Sequence, residues 1–298
     1  MSTRRAADDV VAALVAHDVS EVFALPGEEN LPIVSALRRA GIGLVVCRHE
    51  QHAGFMAVAH ARLTGSVGVC LVTLGPGAIN AFTPLAQAHL IGVPLLVITG
   101  QKSLRENEEG PFQMVDVVGA ATPITKSASS LSDPRLAAEN TLDALRVAAI
   151  NRDAVLLEIP EDVASTATRA RRTPLTVPAV LRPDDGSLAG VAEAIGAAER
   201  PVCLAGDAAN RPGVAAALAR FADATGISVI ATQMGKGAID ERHPRAHPSL
   251  GMHREDYSHL VFEHADLIVS VGYQPAGHPP QVWNRQELPV IHIHHDPA

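Results

Sequence analysis

Apolar residues follow two alternating rhythms along the first half of the chain. Over residues 6–17, Val10, Val11, Leu14 and Val15 fall on one helical face. A short apolar run over 22–25 then stops at Pro26-Gly27, as a strand does on entering a turn. The alternation continues with a helix over 31–39, a strand over 42–47, an Ala-rich helix over 51–63 and a strand over 67–73. After the Gly75-Pro76-Gly77 turn come a helix over 78–90 and a strand over 94–99. Beyond a polar loop (101–111) a helix over 136–150 leads to a strand over 154–159. The strands are apolar on both faces, which is what a parallel sheet covered by helices on each side requires. Residues 1–165 are therefore predicted to form an α/β domain.

Residues 166–187 are rich in Arg, Pro, Thr and Asp, carry no sustained period and read as a linker. The rhythm resumes with a helix over 188–198, a strand over 202–205, a helix over 213–225 and a strand over 228–231. A glycine-bearing loop (234–237), a helix over 256–264 and strands over 267–271 and 290–294 complete the pattern. Residues 188–298 are expected to be a second α/β domain, cut short because the chain stops directly after a strand. The predicted fold class is α/β, with two doubly wound parallel-sheet domains.

Composition narrows the function classes. The 298 residues are 47% hydrophobic, yet no run reaches the ~18 apolar residues of a membrane span. The first nine residues carry Arg4, Arg5, Asp8 and Asp9 in place of an apolar signal core, so a cytoplasmic protein without membrane association is expected. A net charge of −8 and only 3% aromatic residues argue against nucleic acid as a partner. Cys47, Cys70 and Cys203 lie far apart in apolar runs, which suits buried reduced thiols better than a disulfide framework or zinc site.

In open α/β sheets ligands bind beyond the carboxyl ends of the strands. Three turns fall there: 26–30, 48–51 and 75–78. Glu50 stands where an apolar strand gives way to a helix nearly devoid of charge. The helix N-terminus favours its ionised form and apolar walls favour the protonated one, so it suits proton exchange with a bound ring nitrogen. It could equally cap its helix or pair with Arg48. Gly75 and Gly77 would let backbone approach a flat ligand, although a strand-to-helix turn also needs glycine for its own geometry. Neither a GxGxxG nor a GxxxxGK[ST] motif is present. His292 and His294 share one face at the end of the last strand, where a solvated strand end is a simpler reading than a metal site.

Taken in order, these turns resemble one family. Residues 22–31 (Val-Phe-Ala-Leu-Pro-Gly-Glu-Glu-Asn-Leu) resemble the first strand-turn-helix of thiamine diphosphate (ThDP) dependent 2-oxo acid enzymes. Residues 48–57, with Glu50, are similar to the family's activating-glutamate segment, and 73–80 to its Gly-Pro-Gly turn. Phe112-Gln113 and Pro123-Ile124-Thr125-Lys126 match segments of the acetolactate/acetohydroxyacid synthase branch. Residues 234–237 and 291–298 resemble that branch's central domain, and 272–284 looks most like its flavin-independent members, so FAD is not expected.

The resemblance implies a pyrimidine-binding domain followed by a Rossmann-like central domain. It implies ThDP as cofactor, with Glu50 hydrogen-bonding N1′ of the aminopyrimidine. Pro26, Gly27, Thr73, Gly75, Pro76, Asn80 and Gln113 would surround that ring, and Glu28 would face the substrate. Glu50, Glu28 and Gln113 would form the catalytic set, with no metal ligand on this chain. The implied activity is decarboxylation of a pyruvate-like 2-oxo acid with transfer of the acyl carbanion to a second carbonyl. Alternatives are a 2-oxo acid decarboxylase subunit, a non-catalytic scaffold or regulatory subunit, or a truncated remnant. Met114, His52 and Leu74 depart from the family's usual residues and bear on the choice of substrate. In the family a third domain holds Mg²⁺ and the diphosphate through a Gly-Asp-Gly…Asn motif, and Gly206-Asp207-Ala208 is not that motif. A separate diphosphate-binding subunit carrying Mg²⁺, and homo-dimerisation through the pyrimidine domain, are therefore expected.

Overall fold

The computed structural model describes residues 4–103, 112–168, 182–253, 256–275 and 278–294. It divides into two units, Met1–Pro178 and Ala179–Ala298. Residues 169–181 of the predicted linker and 295–298 of the terminal motif lie outside the described residues.

The first unit runs α1 (Ala6–Ala16), β1 (Glu21–Ala24), α2 (Leu31–Ala40), β2 (Gly43–Val46), α3 (Glu50–Thr64) and β3 (Gly68–Val72). It continues with α4 (Pro76–Asn80), α5 (Phe82–Ile91), β4 (Leu95–Gln101), α6 (Val117–Ala121) and β5 (Ser127–Ser130). It closes with α7 (Ala137–Asn151), β6 (Ala154–Pro160) and α8 (Glu161–Ser165). The six strands form one parallel sheet in the order β2-β1-β3-β4-β6-β5.

The two-faced apolar pattern of the strands has a direct structural cause. On β3, Val69 and Leu71 enter a core shared with Val10 and Leu14 of α1, Leu37 of α2 and Leu145 of α7. Cys70 and Val72 enter a second core with Ala53 and Ala57 of α3 and Leu85 of α5. β4 and β6 alternate in the same way, Leu96, Ile98 and Leu157 on one side and Val97 and Leu156 on the other. Each fully buried Leu or Val contributes roughly 1.5–3 kcal/mol. The sheet is thus fixed from both faces.

Three features of this unit differ from the sequence pattern. The predicted helix over 78–90 is two helices, α4 and α5, parted at Ala81. Pro84 has no N–H to offer the Asn80 carbonyl, so the ladder breaks there. Strand β5, Ser-Ala-Ser-Ser, is an edge strand paired only with β6, and its polar sequence gave no apolar signal. The short helices α6 and α8 were also unmarked by periodicity.

The second unit runs α9 (Asp185–Ala197), β7 (Pro201–Ala205), α10 (Val214–Thr225), β8 (Ser228–Ala231), α11 (Leu260–Glu263), β9 (Leu267–Val271), α12 (Pro280–Trp283) and β10 (Val290–Ile293). Its four strands are parallel in the order β10-β9-β7-β8. The helix expected over 256–264 is a 3₁₀ turn, Tyr257–His259, followed by the four-residue α11. Asp256 caps that turn by accepting from the Ser258 N–H at 2.9 Å. Trp283 anchors one core layer against Tyr273 and Phe262. The three cysteines are buried and unpaired, and burial pushes the Cys203 thiol up to about 12. Among the described residues no helix is long and apolar enough to cross a membrane.

Candidate functional site

The first sheet changes winding direction between β1 and β3, since β2 lies outside β1 while β4, β6 and β5 continue beyond β3. In open α/β sheets such a switch point is where ligands bind, beyond the carboxyl ends of the strands. The turns after β1 and β3 meet there. A Cβ placed on Gly27 would stand 2.6 Å from both Cβ and Oγ1 of Thr73, so only glycine lets the two turns touch. The Asn30 side chain holds the first turn from within, its Oδ1 accepting the Gly27 N–H at 3.1 Å.

Glu50 opens α3 directly after β2 and is 7% exposed. It is not the helix cap. That role falls to His49, whose Nδ1 accepts the Gln51 N–H at 3.1 Å. The Glu50 carboxylate turns inward, where Oε2 accepts from Asn80 Nδ2 at 3.0 Å. Its other oxygen faces Gly77, on which a Cβ would lie 3.1 Å from Oε1 and 2.7 Å from Thr73 Cγ2. A buried carboxylate, a side-chain amide and a bare glycine backbone thus converge where a flat ring could bind.

Gly75 adopts φ +44°, a conformation that favours glycine. The Gln113 carbonyl packs so closely here that a Cβ on Gly75 would sit 1.9 Å from its oxygen. Gln113 itself is exposed and has φ 56°, so its backbone meets the Gly-Pro-Gly turn. Pro76 and Asn80 lie exposed along α4, and Pro26 is half-buried before Gly27.

The two adjacent acids after Gly27 have opposite fates. Glu28 is exposed, whereas Glu29 is buried. Glu29 Oε2 accepts from Thr73 Oγ1 at 2.5 Å, and Oε1 lies 3.2 Å from Lys102 Nζ. Burial pushes its carboxyl up, but the Thr73 hydroxyl and the Lys102 ammonium outweigh that and hold it below the usual range. Glu161, at the start of α8, is held above its ordinary value by burial first and then by the Glu28 and Glu29 carboxylates, with Lys102 opposing.

All nine site residues expected from the sequence belong to this unit. Those after β1, β2 and β3 come together, and Gln113 reaches them through its carbonyl. Glu29, Lys102 and Glu161 were missed. Pattern alone does not tell which of two adjacent acids points inward, and Lys102 read as the start of a polar loop. Among the described residues no group of three or more His, Cys, Asp or Glu could hold a metal ion. His292 lies exposed on β10, with Nδ1 2.6 Å from Ser270 Oγ.

Comparison with known proteins bears on both units. The family model for the thiamine pyrophosphate enzyme N-terminal TPP binding domain matches residues 4–120, and that for the central domain matches 188–298. The chain is 31% identical to the catabolic acetolactate synthase of Raoultella terrigena over 98% of this chain and 53% of the relative. It is 31% identical to the acetolactate synthase of Bacillus subtilis (strain 168), over 97% of this chain and 51% of the relative. Identity to the acetolactate synthase isozyme 2 large subunit of Escherichia coli (strain K12) is 34%, over 88% of this chain and 48% of the relative. The chain spans about half the length of these curated relatives. It belongs to the thiamine pyrophosphate enzyme family, of which it carries the N-terminal and central domains.

Proposed function

We propose that this chain supplies the aminopyrimidine side of a ThDP site that decarboxylates a 2-oxo acid such as pyruvate and passes the acyl unit to a second carbonyl, in the manner of acetolactate synthase. The observation that carries the reading is the buried Glu50 carboxylate, oriented by Asn80 and facing the bare backbone of Gly77. These residues fit the group, because an aminopyrimidine needs a carboxyl partner for N1′ and a side-chain-free surface for its ring. When bound, ThDP supplies the electron sink that loss of CO₂ from a 2-oxo acid requires.

The protein's own part is proton traffic and orientation. Glu50 holds or moves a proton at N1′, and Asn80 fixes which carboxylate oxygen faces the ring. Pro26, Gly27, Thr73, Gly75, Pro76 and the Gln113 backbone shape the walls. Glu28, on the solvent side, is positioned toward substrate.

The diphosphate and its Mg²⁺ call for further oxygen ligands, whereas Glu50 and Glu29 are already engaged with Asn80 and Lys102. In the proposal a separate diphosphate-binding subunit with a Gly-Asp-Gly…Asn motif provides them. Homo-dimerisation through the first domain and a cytoplasmic location belong to the same reading. Affinity capture of the chain from its native cells, with intact mass of what co-elutes, tests it. A stoichiometric chain bearing that motif, with pyruvate turnover dependent on ThDP and Mg²⁺, is the expected result. Elution alone with no ThDP binding would overturn it.

A further inference from the structure

Beside the contacts of Glu50 lies the buried pair Glu29–Lys102, with side chains only 7% and 11% exposed. Removing two charges from water costs several kcal/mol per ion, so such a pair is weak evidence of stability for its own sake. Its placement is informative. Glu29 sits in the turn after β1, and Lys102 directly follows β4. Gly100 of β4 allows this approach, because a Cβ there would stand 2.8 Å from Glu29 Cβ and 3.2 Å from its backbone carbon.

Between the pair and Glu50 stands Thr73. Its hydroxyl donates to Glu29 Oε2 at 2.5 Å, while its backbone carbonyl accepts from Thr99 Oγ1 at 2.8 Å. Its methyl faces Gly77, where an added Cβ would lie 2.7 Å from Thr73 Cγ2 and 3.1 Å from Glu50 Oε1. A β-branched side chain has few χ1 options, so fixing the hydroxyl also fixes the methyl.

We infer that Glu29 and Lys102 are positioning residues: the ion pair locks the Thr73 rotamer, and Thr73 in turn holds the Gly77 turn against the Glu50 carboxylate. Lys102 also offsets the negative charge that Glu28 and Glu29 place on Glu161. The pair thereby sets both the shape and the charge of the candidate site without touching the reacting atoms. This inference deepens the function proposed above and rests on it only for its consequence in turnover.

The test reads structure and turnover separately. Hydrogen exchange of the peptide spanning 73–81 is followed in the full chain, where the Gly77 and Ile79 amides donate to Leu74 and Gly75 carbonyls. Lys102→Met and Thr73→Val are each expected to speed exchange there about tenfold, while peptides of α7 stay unchanged. Thr73→Ser keeps the hydroxyl but loses the methyl that faces Gly77, so it should speed exchange at the turn as well. If Lys102→Met destabilises the chain as a whole, the double variant Glu29→Gln/Lys102→Met removes both buried charges, and local exchange at 73–81 should still rise. Unchanged exchange in that double variant and in Thr73→Val would overturn the inference. In the ThDP-loaded complex the same variants should lower kcat at least tenfold with KM for pyruvate within twofold. A wild-type kcat alongside loosened exchange would also overturn it. Absence of any ThDP-dependent turnover in the wild type would refute the proposed function instead, leaving the exchange result to stand by itself.

Discussion

Gly77→Ala probes the space next to Glu50 with a single methyl group. The added Cβ would stand 2.7 Å from Thr73 Cγ2 and 3.1 Å from Glu50 Oε1. Carbon atoms in contact prefer about 3.5–4.0 Å, so one partner must withdraw by roughly 1 Å. Both neighbours are constrained, Thr73 by its hydrogen bond to Glu29 and Glu50 by Asn80. Over-packing at such a site costs roughly 1–3 kcal/mol, and replacing a helical glycine by alanine returns about 0.5–1 kcal/mol. At the middle of both ranges the net cost is about 1.25 kcal/mol, or a factor of about 8 at 1.4 kcal/mol per tenfold. Urea unfolding of the chain and ThDP titration of the proposed complex together show where it falls. Gly77→Ala should lose stability or ThDP affinity by that amount, and Thr73→Ser in the same chain should restore most of it. A variant indistinguishable from wild type in both assays would refute the packing described around Glu50.

Three further outcomes follow from the same geometry. Asn80→Ala removes a hydrogen bond to a carboxylate, a contact worth about 1.5–3 kcal/mol, and should cut ThDP-dependent turnover about 10- to 140-fold with the fold intact by circular dichroism. Glu161 is held above its ordinary value of 4.5, so the stability it contributes is complete below pH 4.5 and is lost as pH rises through its raised folded value. Glu161→Gln should therefore be more stable than wild type at pH 7, with the gap closing below pH 4.5 in urea titrations; a gap that widens on acidification would reverse the assignment. Trp283→Ala empties a site that is 2% exposed and removes the indole donor to the His278 carbonyl, at a cost of about 3–5 kcal/mol read from unfolding of the second unit.

Much of the fold was legible because parallel strands covered by helices are apolar on both faces, and strands such as 228–231 and 267–271 match the structure residue for residue. The misses share physical causes. Strand β5 carries no apolar residue larger than alanine for a pattern to register, and α4 and α5 part because proline removes a donor that periodicity does not register. In the site, Glu50 stood out through its isolation at the head of an uncharged helix, but its partner Asn80 comes from α4, thirty residues on. Which of Glu28 and Glu29 is buried depends on Gly100 and Lys102 across the sheet, information that no local window contains. Gln113 was marked by its side chain, yet the structure brings its carbonyl to Gly75.

The central claim is that Glu50 serves the aminopyrimidine of ThDP. The direct test is turnover of pyruvate by the ThDP- and Mg²⁺-loaded complex of this chain with the proposed diphosphate-binding subunit, comparing wild type with Glu50→Gln. Glutamine keeps the size of the side chain and its bond from Asn80 but cannot hold and release the proton. Loss of nearly all turnover with unchanged assembly is predicted; turnover equal to wild type would contradict the account.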